Sequence, residues 1–126
     1  IALISVVVAA VNIMNTMYAA ILERTKEIGV MKAIGSRNSY ILFLFMLESG
    51  ILSLVGGILG VLLGYGAASF AGNMISSAGY GFFSPLFSWG LVIASLVFSF
   101  LIGILAGLLP AYRASRLQPV DALRYE

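Results

Sequence analysis

The sequence predicts an all-α, polytopic membrane helix bundle with three transmembrane helices. Three observations carry this. The 126 residues are 61% hydrophobic and 10% charged, with a mean hydropathy of +1.07. Residues 1–22 hold no charge, and between Asn38 and Tyr112 there is only Glu48. An ordinary soluble domain carries about 25% charged residues, so this chain cannot cover a globular surface in water, and such apolarity equally excludes disorder. There is no Cys, hence no disulfide, thiol nucleophile or thiolate metal site. There is no His, which removes the commonest general base and metal ligand.

The elements follow in order. Residues 1–22 would rise about 33 Å as a helix, enough for a bilayer core of about 30 Å. They begin at Ile1 with no basic leader, so they read as a transmembrane helix of a longer chain rather than as a signal peptide. A polar segment, 23–38, follows. Residues 39–72 then make a 34-residue apolar run, about 51 Å long as a helix. A span needs roughly 20 residues, so 39–50 is expected in the cytoplasmic interface and 51–72 in the membrane, with Gly56-Gly57 as a possible bend. Residues 73–89 have loop composition. Their Tyr80, Phe82, Phe83, Phe87 and Trp89 suit an interfacial belt. Residues 90–112 form the third span, closed by Pro110, and 113–126 a charged tail.

Lys and Arg set the orientation. Arg24, Lys26, Lys32 and Arg37 lie in the first polar segment, Arg113, Arg116 and Arg124 in the tail, and none in 73–89. The positive-inside rule then places 23–38 and 113–126 in the cytoplasm, 73–89 outside, and the first residue outside.

Few groups carry chemistry. No Gly is followed by Lys, so no Walker A loop exists. The carboxylates Glu23, Glu27, Glu48, Asp121 and Glu126 form no evident dyad. No catalytic residue, cofactor ligand or metal ligand is assigned, and nothing points to nucleic acid. Glu48 is read as an anchor near the headgroups, reaching water or Arg37, in preference to a proton site.

Small residues recur every four positions in two ladders. Gly56, Gly60, Gly64, Ala68 and Gly72 lie in the second span; Ser95, Ser99, Gly103, Gly107 and Ala111 lie in the third. Such stripes let helix backbones approach closely, so these two helices are expected to pack ladder to ladder. Asn12, Asn15 and Thr16 in the first span are read as interhelical hydrogen-bonding glue.

The most distinctive stretch is Glu23-Arg24-Thr25-Lys26-Glu27-Ile28-Gly29-Val30-Met31-Lys32-Ala33-Ile34-Gly35. Glu23 and Lys26, and Arg24 and Glu27, are spaced for pairing on a helix. Ile28, Met31 and Ile34 are expected to form one apolar ridge. Gly35 is the expected helix stop, with Ser36 or Asn38 starting the next helix. On residue chemistry alone, a solvated connector and a partner-binding helix are equally open.

The run ERTKEIGVMKAIGS at 23–36 resembles the signature of the FtsX/MacB-like permeases of ABC transporters. The ending from Pro110 through Arg113, Arg116, Pro119 and Asp121 to Glu126 resembles that family's C-terminus. The resemblance covers essentially the whole chain. One departure is Gln118, where the family often has Asp before the Pro of the last short helix. The resemblance implies the last three helices of a four-helix permease, the first helix and an extracytoplasmic domain lying upstream. It implies that Glu23, Arg24, Thr25, Lys26, Glu27, Ile28, Gly29, Met31, Lys32 and Gly35 belong to a coupling helix that docks on an ABC ATPase subunit or fused domain. ATP and Mg would sit on that partner, not here. It further implies a second permease chain, an extracytoplasmic adaptor in some members, and mechanotransmission for efflux or for lipoprotein or peptide export. Two alternatives stay open: a regulatory scaffold acting on an outer partner, and a plain membrane anchor.

Overall fold

The computed structural model describes residues 1–78, 88–118 and 120. They form four helices: α1 (Ala2–Glu23), α2 (Thr25–Ala33), α3 (Asn38–Ser77) and α4 (Trp89–Ser115). Among the described residues there is no strand. Helices α1, α3 and α4 are each long and apolar enough to cross a membrane. The short α2 sits at the turn between α1 and α3.

The bundle is built on the pairing of α3 with α4, and α1 packs chiefly on α4. Gly50 lies by Phe100 and Gly107 by Ser49, so α3 and α4 run antiparallel. Tyr18 meets Arg113, which sets α1 parallel to α4. The buried side chains gather at one end, where all four helices meet: Met17 and Ile21 from α1, Ile28 from α2, Ile41 and Phe45 from α3, Ala111 and Ala114 from α4. Elsewhere the large apolar side chains stay exposed, among them Val8, Leu62, Ile93 and Leu105. In water that much open apolar surface would drive aggregation; in a bilayer it is the lipid-facing wall.

Helix α3 runs 40 residues without interruption, about 60 Å, through Gly56 and Gly57. The break expected from residue 73 begins later, since α3 continues to Ser77. The reason is local. The Ser76 hydroxyl donates to the Gly72 carbonyl at 2.7 Å and the Ser77 hydroxyl to Met74 at 2.9 Å, so these polar side chains are satisfied inside the helix rather than by a turn. The expected aromatic belt at Tyr80, Phe82, Phe83 and Phe87 lies outside the described residues. Trp89 opens α4 and is exposed.

Helix α4 also outruns its expected end. Pro110 lies inside it, and the helix continues to Ser115. A proline in a helix interior removes one backbone bond and crowds the preceding turn. Here the turn beyond it is held by packing, because Ala111, Ala114 and Ser115 are all buried. The expected short helix opened by Pro119 lies outside the described residues.

The α3–α4 seam corrects the ladder reading by half. A Cβ on Gly103 would stand 2.6 Å from the Ser49 carbonyl oxygen and against Ser53; one on Gly107 would overlap the Ser49 side chain. The α4 ladder is therefore a close-approach stripe at Ser99, Gly103 and Gly107. Its counterpart on α3 is Ser49, Ser53 and Gly57. A Cβ on Gly57 would lie 2.8 Å from Ser99, whereas Gly56, Gly60 and Gly64 meet nothing within 4 Å. Gly60 and Gly64 instead line a cleft of about 410 Å³ with Ser95 and Val92, where the helices separate. Two series of period four coexist on α3, one of serines and one of glycines, and spacing alone does not say which faces α4. The serines win because they bond. Ser53 donates to the Ser99 carbonyl at 2.6 Å and Ser99 to the Ser53 carbonyl at 2.7 Å, which fixes two hydroxyls where no water competes.

Candidate functional site: the α2 elbow

Helix α2 is joined to α1 through one residue. Arg24 is at once the C-cap of α1 and the N-cap of α2, with φ −100° and ψ 13°. Its backbone N–H still donates to Ala20, and its carbonyl accepts from Ile28, so the hydrogen-bonded ladder is hardly broken. The Thr25 hydroxyl reaches back to the carbonyls of Ile21 at 2.9 Å and Leu22 at 3.0 Å. A shift of α2 is thus felt directly by the last turn of α1.

The far end of α2 is closed by glycine geometry. Gly35 has φ +94°, a left-handed conformation that costs other residues energy. The Gly35 N–H donates to the Lys32 carbonyl and the Ser36 N–H to the Met31 carbonyl, both at 3.0 Å. This paired arrangement is a Schellman stop, and the expected role of Gly35 holds. Helix α3 starts at Asn38, one of the two expected positions; its N-cap is Arg37, with no side-chain capping bond.

Three contacts tie α2 and its entry to the rest of the bundle. Ile28 is fully buried within the four-helix cluster. The Lys32 ammonium donates to the Leu117 carbonyl oxygen at 2.6 Å, just past the end of α4, where helix carbonyls lack internal donors. Burial pushes the Lys32 pKa below its ordinary value. Arg24 pairs with Glu48 of α3 at 3.2 Å. That is the one ion pair among the described residues, and with both side chains about half exposed it contributes about 0–1 kcal/mol. It replaces the expected partners on both sides: Glu48 meets Arg24 rather than Arg37, and neither the Glu23–Lys26 nor the Arg24–Glu27 pair forms.

The single apolar ridge is also corrected. Ile28 points inward, Met31 is half-buried, and Ile34 is 80% exposed. Steps of three residues fall about 60° short of a full turn, so Ile28 and Ile34 end on different faces. Of the expected docking residues, Ile28 and Gly29 are buried, and Thr25, Met31 and Lys32 are half-buried and turned to the bundle. Glu23, Arg24, Lys26, Glu27 and Gly35 are exposed. The outward face keeps Ile34 of the expected ridge and gains Val30, 50% exposed, to which the sequence analysis assigns no role. The signal was present: Glu23, Glu27, Val30 and Ile34 stand at i, i+4, i+7 and i+11, one stripe of a helix.

All six described cations, Arg24, Lys26, Lys32, Arg37, Arg113 and Arg116, lie at this end of the bundle. Three apolar spans with an exposed, partly charged elbow at the basic end define a multi-pass membrane protein. The profile of the FtsX-like permease C-terminal family matches residues 1–119, and the chain belongs to that family. Over all 126 residues it is 43% identical to an uncharacterized ABC transporter permease of Methanocaldococcus jannaschii. Over 123 residues, 98% of the chain, it is 44% identical to the uncharacterized ABC transporter permease YknZ of Bacillus subtilis. Over its full length it is 47% identical to the macrolide export ATP-binding/permease protein MacB of Bdellovibrio bacteriovorus. The chain spans 32%, 30% and 18% of these relatives' lengths, respectively.

Proposed function

We propose that this chain is the transmission element of an ABC transporter permease, in which α2 docks on an ATPase subunit or domain that holds ATP and Mg. The observation that carries this is the division of α2 into two faces. Its inner face is fixed to α1 by Arg24 and Thr25, to the core by Ile28, and to the end of α4 by Lys32. Its outer face, continued by Glu23 before it and Ile34 after it, presents Lys26, Glu27 and Val30 with no side-chain partner among the described residues. A solvated connector has no use for exposed Val30 and Ile34, and a helix rigidly held from behind can pass a push to two spans at once. The basic end lies in the cytoplasm by the positive-inside rule, on the side where ATP is found.

The exposed amides of Asn12 and Asn15 on α1 support a second permease chain. Both side chains lie away from α4, and an amide is both donor and acceptor, so two copies can satisfy one another. As the family resemblance implies, the cargo would be handled by extracytoplasmic parts outside this chain, with an adaptor there in some members, in efflux or in export of a lipoprotein or peptide. The chain itself contributes motion and no catalytic group.

The test is co-purification of the ATPase with the full-length permease, beside ATP hydrolysis in lipid. Glu27→Lys and Val30→Asp leave membrane levels normal and weaken both ATPase retention and the permease's effect on hydrolysis. Wild-type values in both variants would leave α2 a connector.

A further inference from the structure

A groove of about 410 Å³ opens between α1 and α4 at the basic end, behind the elbow and separate from the outer face of α2. Its lining includes Tyr18, Ile21, Leu22, Pro110, Arg113 and Ala114. The Arg113 guanidinium lies over the Tyr18 ring, 5.4 Å from the centroid. The ring face attracts the cation, and among the described residues no hydrogen-bond acceptor holds its N–H groups. No carboxylate meets Arg113 among the described residues, since their one ion pair is Arg24–Glu48. Beside it, Arg116 lies over Tyr112 at 4.8 Å, likewise without a carboxylate among the described residues. Among the described residues, two guanidiniums without a carboxylate partner thus lie beside an apolar slot at the basic end of the bundle.

We propose that this groove is a binding site for an anionic phospholipid, with one acyl chain along Ile21, Pro110 and Ala114 and the phosphate on Arg113. The charge complementarity is specific. Arginine's planar fork matches phosphate oxygens with two parallel bonds, and basic pockets between spans on the cytoplasmic side recognise acidic headgroups. An acyl chain suits the slot because its walls offer almost no polar atom. Bound there, the lipid would fasten α1 to α4 next to the elbow, so the membrane's acidic lipid content would set how firmly the two spans move together.

The experiment uses the full-length permease in nanodiscs, with Leu22→Trp as the reporter at the groove. Quenching is compared for brominated phosphatidylglycerol and brominated phosphatidylcholine. The account expects roughly fivefold preference for the anionic lipid, the effect of one basic residue at a membrane surface. Arg113→Gln should abolish that preference, and Arg113→Lys, which keeps the charge but loses the fork and the stacking, should retain only part of it. Equal quenching by both lipids, or a preference that survives Arg113→Gln, overturns the site. So does the absence of quenching by either lipid, which would show the groove covered by protein. None of these outcomes depends on ATPase docking, so the two readings stand or fall separately.

Discussion

The Lys32 ammonium donates to the Leu117 carbonyl oxygen at 2.6 Å, bridging 85 positions of sequence and tying the elbow helix to the end of α4. The bond joins a cation to a single carbonyl just past a helix C-terminus, where the hydrogen bond and the helix dipole offset the cost of burying the charge. Removing the donor by Lys32→Met should lower stability by about 1.5–3 kcal/mol, the range for hydrogen bonds to a charged group. The measurement is thermal unfolding of the purified full-length permease. A change under a few tenths of a kcal/mol would show the contact to be incidental.

The same lysine makes a pH prediction. Burial lowers its pKa in the folded chain, while the unfolded chain titrates near 10.4. The folded state therefore holds the proton less tightly. The penalty for the charged form is fully present below the folded pKa and is relieved as pH rises from there toward the unfolded value. A nitrogen-15 titration of the Lys32 side chain should give a midpoint below the ordinary lysine value. A midpoint at or above that value would contradict the burial.

Glycine substitutions should split into two groups. Gly103→Leu and Gly107→Leu drive a side chain into Ser53 and Ser49 and should cost at least the 1–3 kcal/mol typical of overpacking. Gly56→Leu and Gly60→Leu enter open space and should leave the fold of a single chain intact. Membrane yield and melting temperature of the four variants decide this; equal loss across all four would remove the distinction between the two α3 stripes.

Ile28 should behave as a core residue and not as a docking residue. Ile28→Val should cost about 0.5–1.5 kcal/mol, and Ile28→Asp should prevent folding by burying an unpaired carboxylate. Protease resistance in membranes reads this out. Normal folding of Ile28→Asp with selective loss of ATPase binding would restore the reading in which Ile28 faces the partner.

The three spans, the short helix between the first two and the glycine stop were legible because each rests on local signals: an uncharged run of 22 residues, a burst of charge, a Gly that can take positive φ. What the sequence left ambiguous depended on rotation about a helix axis. Ile28 and Ile34 look alike in a list of apolar positions, yet only one meets the core. Ser49 and Ser53 read as ordinary polar residues until Gly103 and Gly107 are brought against them. Glu48 found Arg24 rather than Arg37 because the one-residue elbow turns Arg24 toward α3, a fact of tertiary geometry with no local signature. Pro110 reads as a stop, and only the burial of Ala111 and Ala114 explains why the helix passes through it.

The central claim is that the outer face of α2 meets an ATPase while its inner face stays within the bundle. Site-specific photo-cross-linking in cells producing the full-length permease tests it most directly, with a benzophenone side chain placed in turn at Val30, Ile34 and Met31. The account predicts cross-links to the ATPase from Val30 and Ile34, and only intrachain products from Met31. Capture of the ATPase from Met31 but not from Val30 or Ile34 would contradict it.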